Sequence, residues 1–341
     1  MDTPRVRVAS VGTALPGHAV SNAELANRFG MDQLWEQWID AFVGIKSRHL
    51  SVNLDTGEIC GTLADLGVEA ARRALDGAGI VADDVDLLVM GTATPDALMP
   101  TTANVIADRL GIGNLPTYQL QSGCAGAVQA LEVATGLLTS GAYRNALVLA
   151  GDSCAKHFDL DADLRKLDPS ELVNVVLFGD GAGAAVLCTA AGPVTLRRAA
   201  TRFTGVGRSP GQVVEWFGRA ERGSTRTAVA EDYKAVEAHV PTLAVEALKN
   251  LLDDLGWADD DVDFLLPPQL SGRMTARISE RLALVGAQEI TRVDETGNCG
   301  NALLFFQLER LMSQIGPGDR AVGIAVESSK WITGSIALEG L

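Results

Sequence analysis

Five cysteines are scattered along a chain of 341 residues, and one of them, Cys124, sits where a thiol could act as a nucleophile. In Gln119-Leu-Gln-Ser-Gly-Cys-Ala-Gly-Ala-Val-Gln-Ala-Leu131, Tyr118 and Leu120 alternate with Gln119 and Gln121, which predicts a short strand. Beyond Gly123 the pattern becomes an alanine-rich apolar helix running towards Leu138. Cys124 falls at the corner between them. A thiol at a helix N-terminus feels the positive end of the dipole, which favours the thiolate and predicts a lowered pKa. Its own N–H would point to where a tetrahedral oxyanion forms on an attacked carbonyl. Gly123 and Gly126 permit a tight turn and close approach of a substrate. The plainer alternative is an inert buried cysteine, a common fate of this residue type.

A second corner of similar make-up, Gly297-Asn-Cys-Gly300, lies far along the chain. The elements around the two corners follow one order, which marks an internal duplication. Asp84-Val-Asp-Leu-Leu-Val-Met90 resembles Asp261-Val-Asp-Phe-Leu-Leu-Pro267, and each follows an amphipathic helix ending near glycine. A second helix ending in Arg-Leu comes next (Arg109-Leu110 and Arg281-Leu282), then a strand and the corner. Each corner opens an apolar helix leading to a further strand, at 146–149 and 321–326. Alternating helical and strand patterns predict a layered α/β fold. Two halves, 1–189 carrying the cysteine and 190–341 carrying the asparagine, would pack about a pseudo-twofold axis and bring Cys124 and Asn298 to one site. The segments 152–174 and 200–232 match nothing in the other half and read as loops or insertions over that site.

Composition excludes several classes. A net charge of -15 and a pI near 4.7 argue against nucleic acid or an anionic membrane as partner, although an acidic carrier protein would need a local basic patch. No apolar run approaches a membrane span, and the N-terminus lacks a signal-peptide pattern. The odd number of unpaired cysteines, without metal spacing, predicts free thiols in a reducing cytoplasm and no metal.

These motifs resemble the thiolase superfamily, and within it the ketosynthase III family (β-ketoacyl-acyl-carrier-protein synthase III). The resemblance covers almost the whole chain. It is carried by Trp38-Ile-Asp-Ala-Phe-Val-Gly-Ile-Lys-Ser-Arg48, by Met99-Pro100 before the helix at 103–110, and by the Cys124 corner. Leu177-Phe-Gly-Asp-Gly-Ala-Gly-Ala-Ala-Val-Leu187 and Gly297-Asn298 are its more specific parts. It implies a thiolase-like five-layered αβαβα fold, a homodimer, and a cysteine acylated from coenzyme A or an acyl carrier protein, with no permanently bound cofactor. It also implies that Trp38 stacks on the adenine of coenzyme A, that Arg273 meets phosphate at the entrance, and that Met99 closes the partner's acyl pocket. The plainer alternatives are a core anchor for Trp38 and a solvated helix arginine for Arg273. Cys299 is expected to be a small buried thiol.

The chain departs from the family in two places. Where the family carries histidine in Pro-His-Gln-Ala-Asn, this chain has Pro267-Pro268-Gln269-Leu270-Ser271. The usual Cys-His-Asn set is thereby reduced to Cys124 and Asn298. In a decarboxylating condensation, histidine and asparagine together hold the enolate oxygen; losing one such donor costs roughly 10²–10³ in rate. The family's Gly-Gly-Gly-Phe loop becomes Ser328-Ser329-Lys330-Trp331, in which Ser329 could still donate an oxyanion N–H. Glu327, just before it, replaces an apolar tunnel residue and is a candidate replacement base. His239, on a helix predicted over 236–252 that borders the family's pocket, is a second candidate, or simply a packed histidine. His18, His49 and His157 read as surface residues.

The function expected from this set is acyl transfer in specialised, polyketide-related metabolism. Cys124 would take an acyl group from a thioester and pass it to a small-molecule acceptor with its own nucleophile, a hydroxyl or amine. Carbon–carbon condensation without the histidine, and a non-catalytic pseudo-ketosynthase, are the alternatives.

Overall fold

A computed structural model describes residues 5–167, 169–214 and 229–341. The strands are, in chain order, β1 (Arg7–Ala14), β2 (Val20–Ser21), β3 (Ser47–Arg48), β4 (Leu87–Gly91), β5 (Thr117–Leu120), β6 (Asn145–Ser153), β7 (Asp180–Cys188) and β8 (Val194–Phe203). They continue with β9 (Gln212–Val214), β10 (Val229–Glu231), β11 (Phe264–Leu266), β12 (Gln288–Glu289), β13 (Arg320–Glu327) and β14 (Ile332–Gly340). The helices are α1 (Asn22–Phe29), α2 (Gln33–Trp38), α3 (Leu63–Ala78), α4 (Thr102–Leu110) and α5 (Gly126–Thr139). After them come α6 (Pro169–Leu177), α7 (Tyr233–Leu255), α8 (Gly272–Leu282), α9 (Val293–Thr296) and α10 (Ala302–Met312).

The main sheet runs β12-β11-β13-β14-β8-β1-β7-β6-β4-β5. Read from either end the order is the same, β5-β4-β6-β7-β1 against β12-β11-β13-β14-β8, and the two meet at a short antiparallel seam pairing Arg7 with Thr195 and Val8 with Val194. Strands such as Leu87–Gly91 and Asp180–Cys188 are buried along their whole length because helices cover both faces.

Helix placement follows side-chain size and pattern. The long helices α3 and α7 bury one apolar face each, start on aspartate- or threonine-capped turns at Thr62 and Asp232, and stop at left-handed Gly79 and Gly256. With α4 and α8 they form the two outer layers, over separate cores. Between the half-sheets lie α5 and α10, which share a third core; α5 packs on β4 and β6 of its own half and on β8 of the other, and α10 on β1 and β7. Small residues in α5 make this close approach possible: a Cβ on Gly91 of β4 would lie 2.4 Å from the Gly126 carbonyl oxygen. The layers are therefore helix, sheet, helix, sheet, helix. A further cluster joins α1 and α2 to α6 and the segment before it, roofing one end of the sandwich.

Two expectations about loops need correction. Asp152 and Ser153 belong to β6 and are buried, and 200–203 completes β8. A strand that ends in polar residues reads locally as a loop; at the end of β6 Asp152 turns inwards to a hydrogen-bond network, whereas the end of β8 is exposed. Of the remaining 200–232 stretch, 215–228 lies outside the described residues, while β9 and β10 form a small antiparallel ladder. Among the described residues no helix is long and apolar enough to cross a membrane.

Candidate active site

After β5 the chain turns at Gly123, whose φ of +50° is in the left-handed region, passes through a single 3-10 turn (Gly123–Ala125) and enters α5. This corner sets Cys124 with its side chain exposed into a cavity of about 520 Å³. The second corner, at Gly297 and Gly300 (φ +69° and +52°), presents Asn298 to the same cavity. Asn298 is held on both sides: its Nδ2 donates to the Leu270 carbonyl at 3.0 Å, and its Oδ1 accepts from the Gly300 N–H at 3.0 Å.

A buried network ties the corners together from behind. Asp152 accepts from Asn301 through both its backbone N–H and its Nδ2, each at 2.8 Å, and from the Ala93 N–H at 2.8 Å and the Thr94 hydroxyl at 2.9 Å. Asn301 Oδ1 in turn accepts from the Ala127 N–H at 2.9 Å, so a first-turn amide of α5 is capped from the other half of the protein. Burial pushes the Asp152 carboxyl up, and these donors pull it back.

The environment of Cys124 overturns the expectation of an open oxyanion N–H and a lowered thiol pKa. The buried Glu327 carboxylate accepts from the Cys124 N–H through Oε2 and from the Ser329 N–H at 2.6 Å through Oε1. Both amides expected to meet a substrate oxygen therefore meet an internal carboxylate. Burial pushes the Cys124 thiol well above its ordinary pKa, and the charges of Glu327 and Asp152 push it further, with Glu327 also accepting from the thiol. All of these act against the thiolate, in the direction opposite to the α5 dipole. Glycine at 123 is what admits the carboxylate: a Cβ there would lie 1.9 Å from Glu327 Oε2.

Gly123→Ala should therefore lower stability by roughly 1–2 kcal/mol from its left-handed φ alone. It should also displace Glu327, releasing the thiol to alkylate faster at neutral pH. Denaturant midpoints and iodoacetamide kinetics check both.

Of the other residues singled out, Trp38 is half-buried at the cavity rim, and Arg273 on α8 is exposed on the same rim, its Nη2 donating to the Asp40 carbonyl at 3.3 Å. Pro268 is buried in the cavity wall. Ser329 lies in the tight β13–β14 turn, where Trp331 (φ +63°) buries its ring and donates from Nε1 to the Ser209 carbonyl at 2.7 Å. Met99 is 86% exposed, away from the cavity of its own chain.

His239 is not brought to the site. It is exposed on α7 with its ring edge-on to Trp331, 5.1 Å between centroids, and is absent from the cavity lining. The helix phase that buries Val236 and Val240 turns it outwards. His49 is half-buried, its Nδ1 3.0 Å from the Pro16 carbonyl, rather than at the surface. Cys299 is a buried thiol beside the carbonyls of Thr296 and Asp180. Sequence reasoning missed the Asp152–Asn301 pair and Glu231, which lines the cavity. Asn301, directly after the repeat's second corner, was the available signal. No group of metal-binding side chains occurs among the described residues.

This geometry can be set against known proteins. The family profile described as 3-oxoacyl-[acyl-carrier-protein] synthase III matches residues 118–200, and that of its C-terminal part matches 252–329. β-Ketoacyl-[acyl-carrier-protein] synthase III 5 of Streptomyces coelicolor is 33% identical over 328 residues, 92% of this chain and 91% of that protein. The chain belongs to the β-ketoacyl-acyl-carrier-protein synthase III family. Its fold is thiolase-like. The priming β-ketosynthase of the R1128 polyketide biosynthetic pathway superposes with a TM-score of 0.81 at 29% identity, over 99% of this chain and 97% of that one. A tetronic acid condensing enzyme superposes with a TM-score of 0.95 at 58% identity, over 98% of this chain and all of that one. Ketosynthases of this family are acyl-transferring, condensing enzymes, and the chain is a transferase of that broad kind.

Proposed function

We propose that this ketosynthase moves an acyl group from a coenzyme A or carrier-protein thioester, through acyl-Cys124, to an acceptor that brings its own nucleophile. The observation that carries this reading is the pairing of Cys124 with the Glu327 carboxylate in a cavity where Pro268 offers no hydrogen-bond donor. Glu327 takes the thiol proton as sulfur attacks and returns it to the departing carrier thiolate. As the thiol loses its proton, the carboxylate becomes a neutral acid that holds the Cys124 and Ser329 amides less strongly, and these can then serve the tetrahedral oxyanion. Asn298 orients the thioester or acceptor, and Trp38 and Arg273 receive the adenine and phosphate ends of the donor. Met99 is assigned to the pocket of a partner copy in a homodimer.

Among acceptors, a carbon acid is favoured over the hydroxyl or amine expected from sequence. The similar enzyme named for tetronic acid supports this. A tetronic acid is a cyclic β-keto ester, and building one from two thioesters needs a bond from an activated methylene to an acyl carbon, besides one ester bond. A methylene between two carbonyls is already acidic. It needs no enolate made by decarboxylation, the step for which the family's second donor exists.

The test offers acyl-loaded enzyme a β-keto thioester, a simple alcohol, an amine and a malonyl thioester in parallel, reading products by mass and carbon dioxide release. Transfer to the β-keto thioester with negligible carbon dioxide from malonyl is expected. Brisk, Cys124-dependent decarboxylation would overturn the reading, and transfer to alcohol or amine alone would overturn the carbon acceptor.

A further inference from the structure

One carboxyl in the cavity has no role in the acyl-loading step described above. Glu231 ends β10 opposite Gln212 of β9, and Gln212 Nε2 donates to its Oε1. Glu231, Gln212 and Tyr233 line the same cavity as Cys124 and Asn298. Glu231 lies near enough to Cys124 for its charge to oppose the thiolate, and near enough to Glu327 to feel that carboxylate in turn. Two carboxyls thus act on the thiol by charge. Glu327 is pinned on two amides, whereas Glu231 is held by one side-chain donor and faces the space that an acceptor must fill.

We propose that Glu231 is the acid–base catalyst of the second half-reaction, taking the C–H proton of a 1,3-dicarbonyl acceptor as its carbon attacks acyl-Cys124. This deepens the acyl-Cys124 reading above and rests on it. The acceptor's C–H bond breaks and its proton passes to the Glu231 carboxylate. The carbanion forms a carbon–carbon bond to the acyl carbon, the carbon–sulfur bond breaks, and the Cys124 thiolate leaves. Glu231 then gives its proton to that thiolate, restoring thiol and carboxylate with no other reactant consumed.

The chemistry matches the group. Burial pushes Glu231 up to about 7, the Glu327 charge adds to this, and the Gln212 donor opposes it. A base poised near neutrality suits an acidic methylene. The charged and titratable groups that share its cavity are Tyr233 and Glu237 on α7, Cys124, and Arg273 and Arg277 on α8, with Glu327 of β13 near enough to act on it by charge. Arg277 is paired with Glu237 at 3.5 Å.

The experiment separates the half-reactions. Cys124 is loaded from acyl thioesters and followed by intact mass, then acyl-enzyme is mixed with a β-keto thioester. Glu231→Gln should still load, no more slowly than the wild type because a charge opposing the thiolate is gone, and that loading also reports an intact fold; its transfer should be about 10²–10⁴-fold slower. Wild-type transfer should rise with pH through neutrality, and Gln212→Leu, which keeps the carboxyl but removes its donor, should move that rise to higher pH. Transfer by Glu231→Gln at the wild-type rate, equal loss of loading and transfer, or an unmoved pH midpoint in Gln212→Leu would overturn the assignment. Failure of the wild type to load at all would instead sink the acyl-Cys124 reading and the assignment with it.

Discussion

Cys124→Ala should take up no acyl group from any coenzyme A or carrier thioester, and its turnover should fall by on the order of 10³–10⁶, the scale seen when a covalent nucleophile is removed. The fold should survive, because the side chain projects into the cavity, although Glu327 loses the thiol as one of its donors; a stability loss of at most about 0.5–1.5 kcal/mol is expected. Intact mass after incubation with a panel of thioesters measures the loss directly. Cys299 is the control: its sulfur sits against the Thr296 and Asp180 carbonyls, out of reach of a substrate, and Cys299→Ala should still load. An adduct that survives in Cys124→Ala would remove the corner from the mechanism.

The second large effect concerns Glu327, where two readouts should move in opposite directions. With the carboxylate in place, burial and the neighbouring charge hold the thiol protonated. Glu327→Gln removes the charge but not the burial, so the thiol pKa falls part of the way and the thiolate fraction at neutral pH rises. Iodoacetamide, which needs only thiolate, should then react faster, with its pH profile displaced to lower pH. Acyl loading, which needs a base to take and return the proton, should slow by about 10²–10⁴. If alkylation and loading rise together, Glu327 is merely an obstacle to the thiol. If both fall, its role is to hold the Cys124 loop in place. The amide can satisfy one of the two N–H groups, so some loss of stability, about 1–3 kcal/mol for the other, should accompany either result.

What could be read from sequence was what local pattern encodes. The switch from alternating to helical spacing around Gly123 and Gly297 marks both corners, and their repetition places Cys124 and Asn298 at one cavity. What could not be read depends on partners distant in the chain. Glu327 stands out as an ionisable residue in an apolar place, but its acceptance from Cys124, 203 positions away, appears only once β13 lies beside the corner. Together with burial, that carboxylate turns the thiol's pKa opposite to the expected direction. Asp152 looks like the start of a charged loop because nothing nearby in sequence supplies its donors; they come from Ala93, Thr94 and Asn301. Glu231 is hidden for a similar reason, since a stretch rich in glycine and arginine gives no hint of the burial that raises its pKa.

The mirrored strand order sets a timetable for the chain as it is made. β1, made before the rest of the sheet, waits for β7 before it can pair, and β14, the last strand of the sheet to be made, completes the ladder with β13 and β8. N-terminal segments leave the ribosome first, so the Cys124 turn emerges long before Asn301, which caps its helix, and Glu327, which fills its amides. For that interval the thiol is without the carboxylate that later restrains it. A polypeptide cut short before β13 would carry a more reactive cysteine than the finished protein, and no means of using it. Reactivity here is damped last, by the same closing strands that make the site usable.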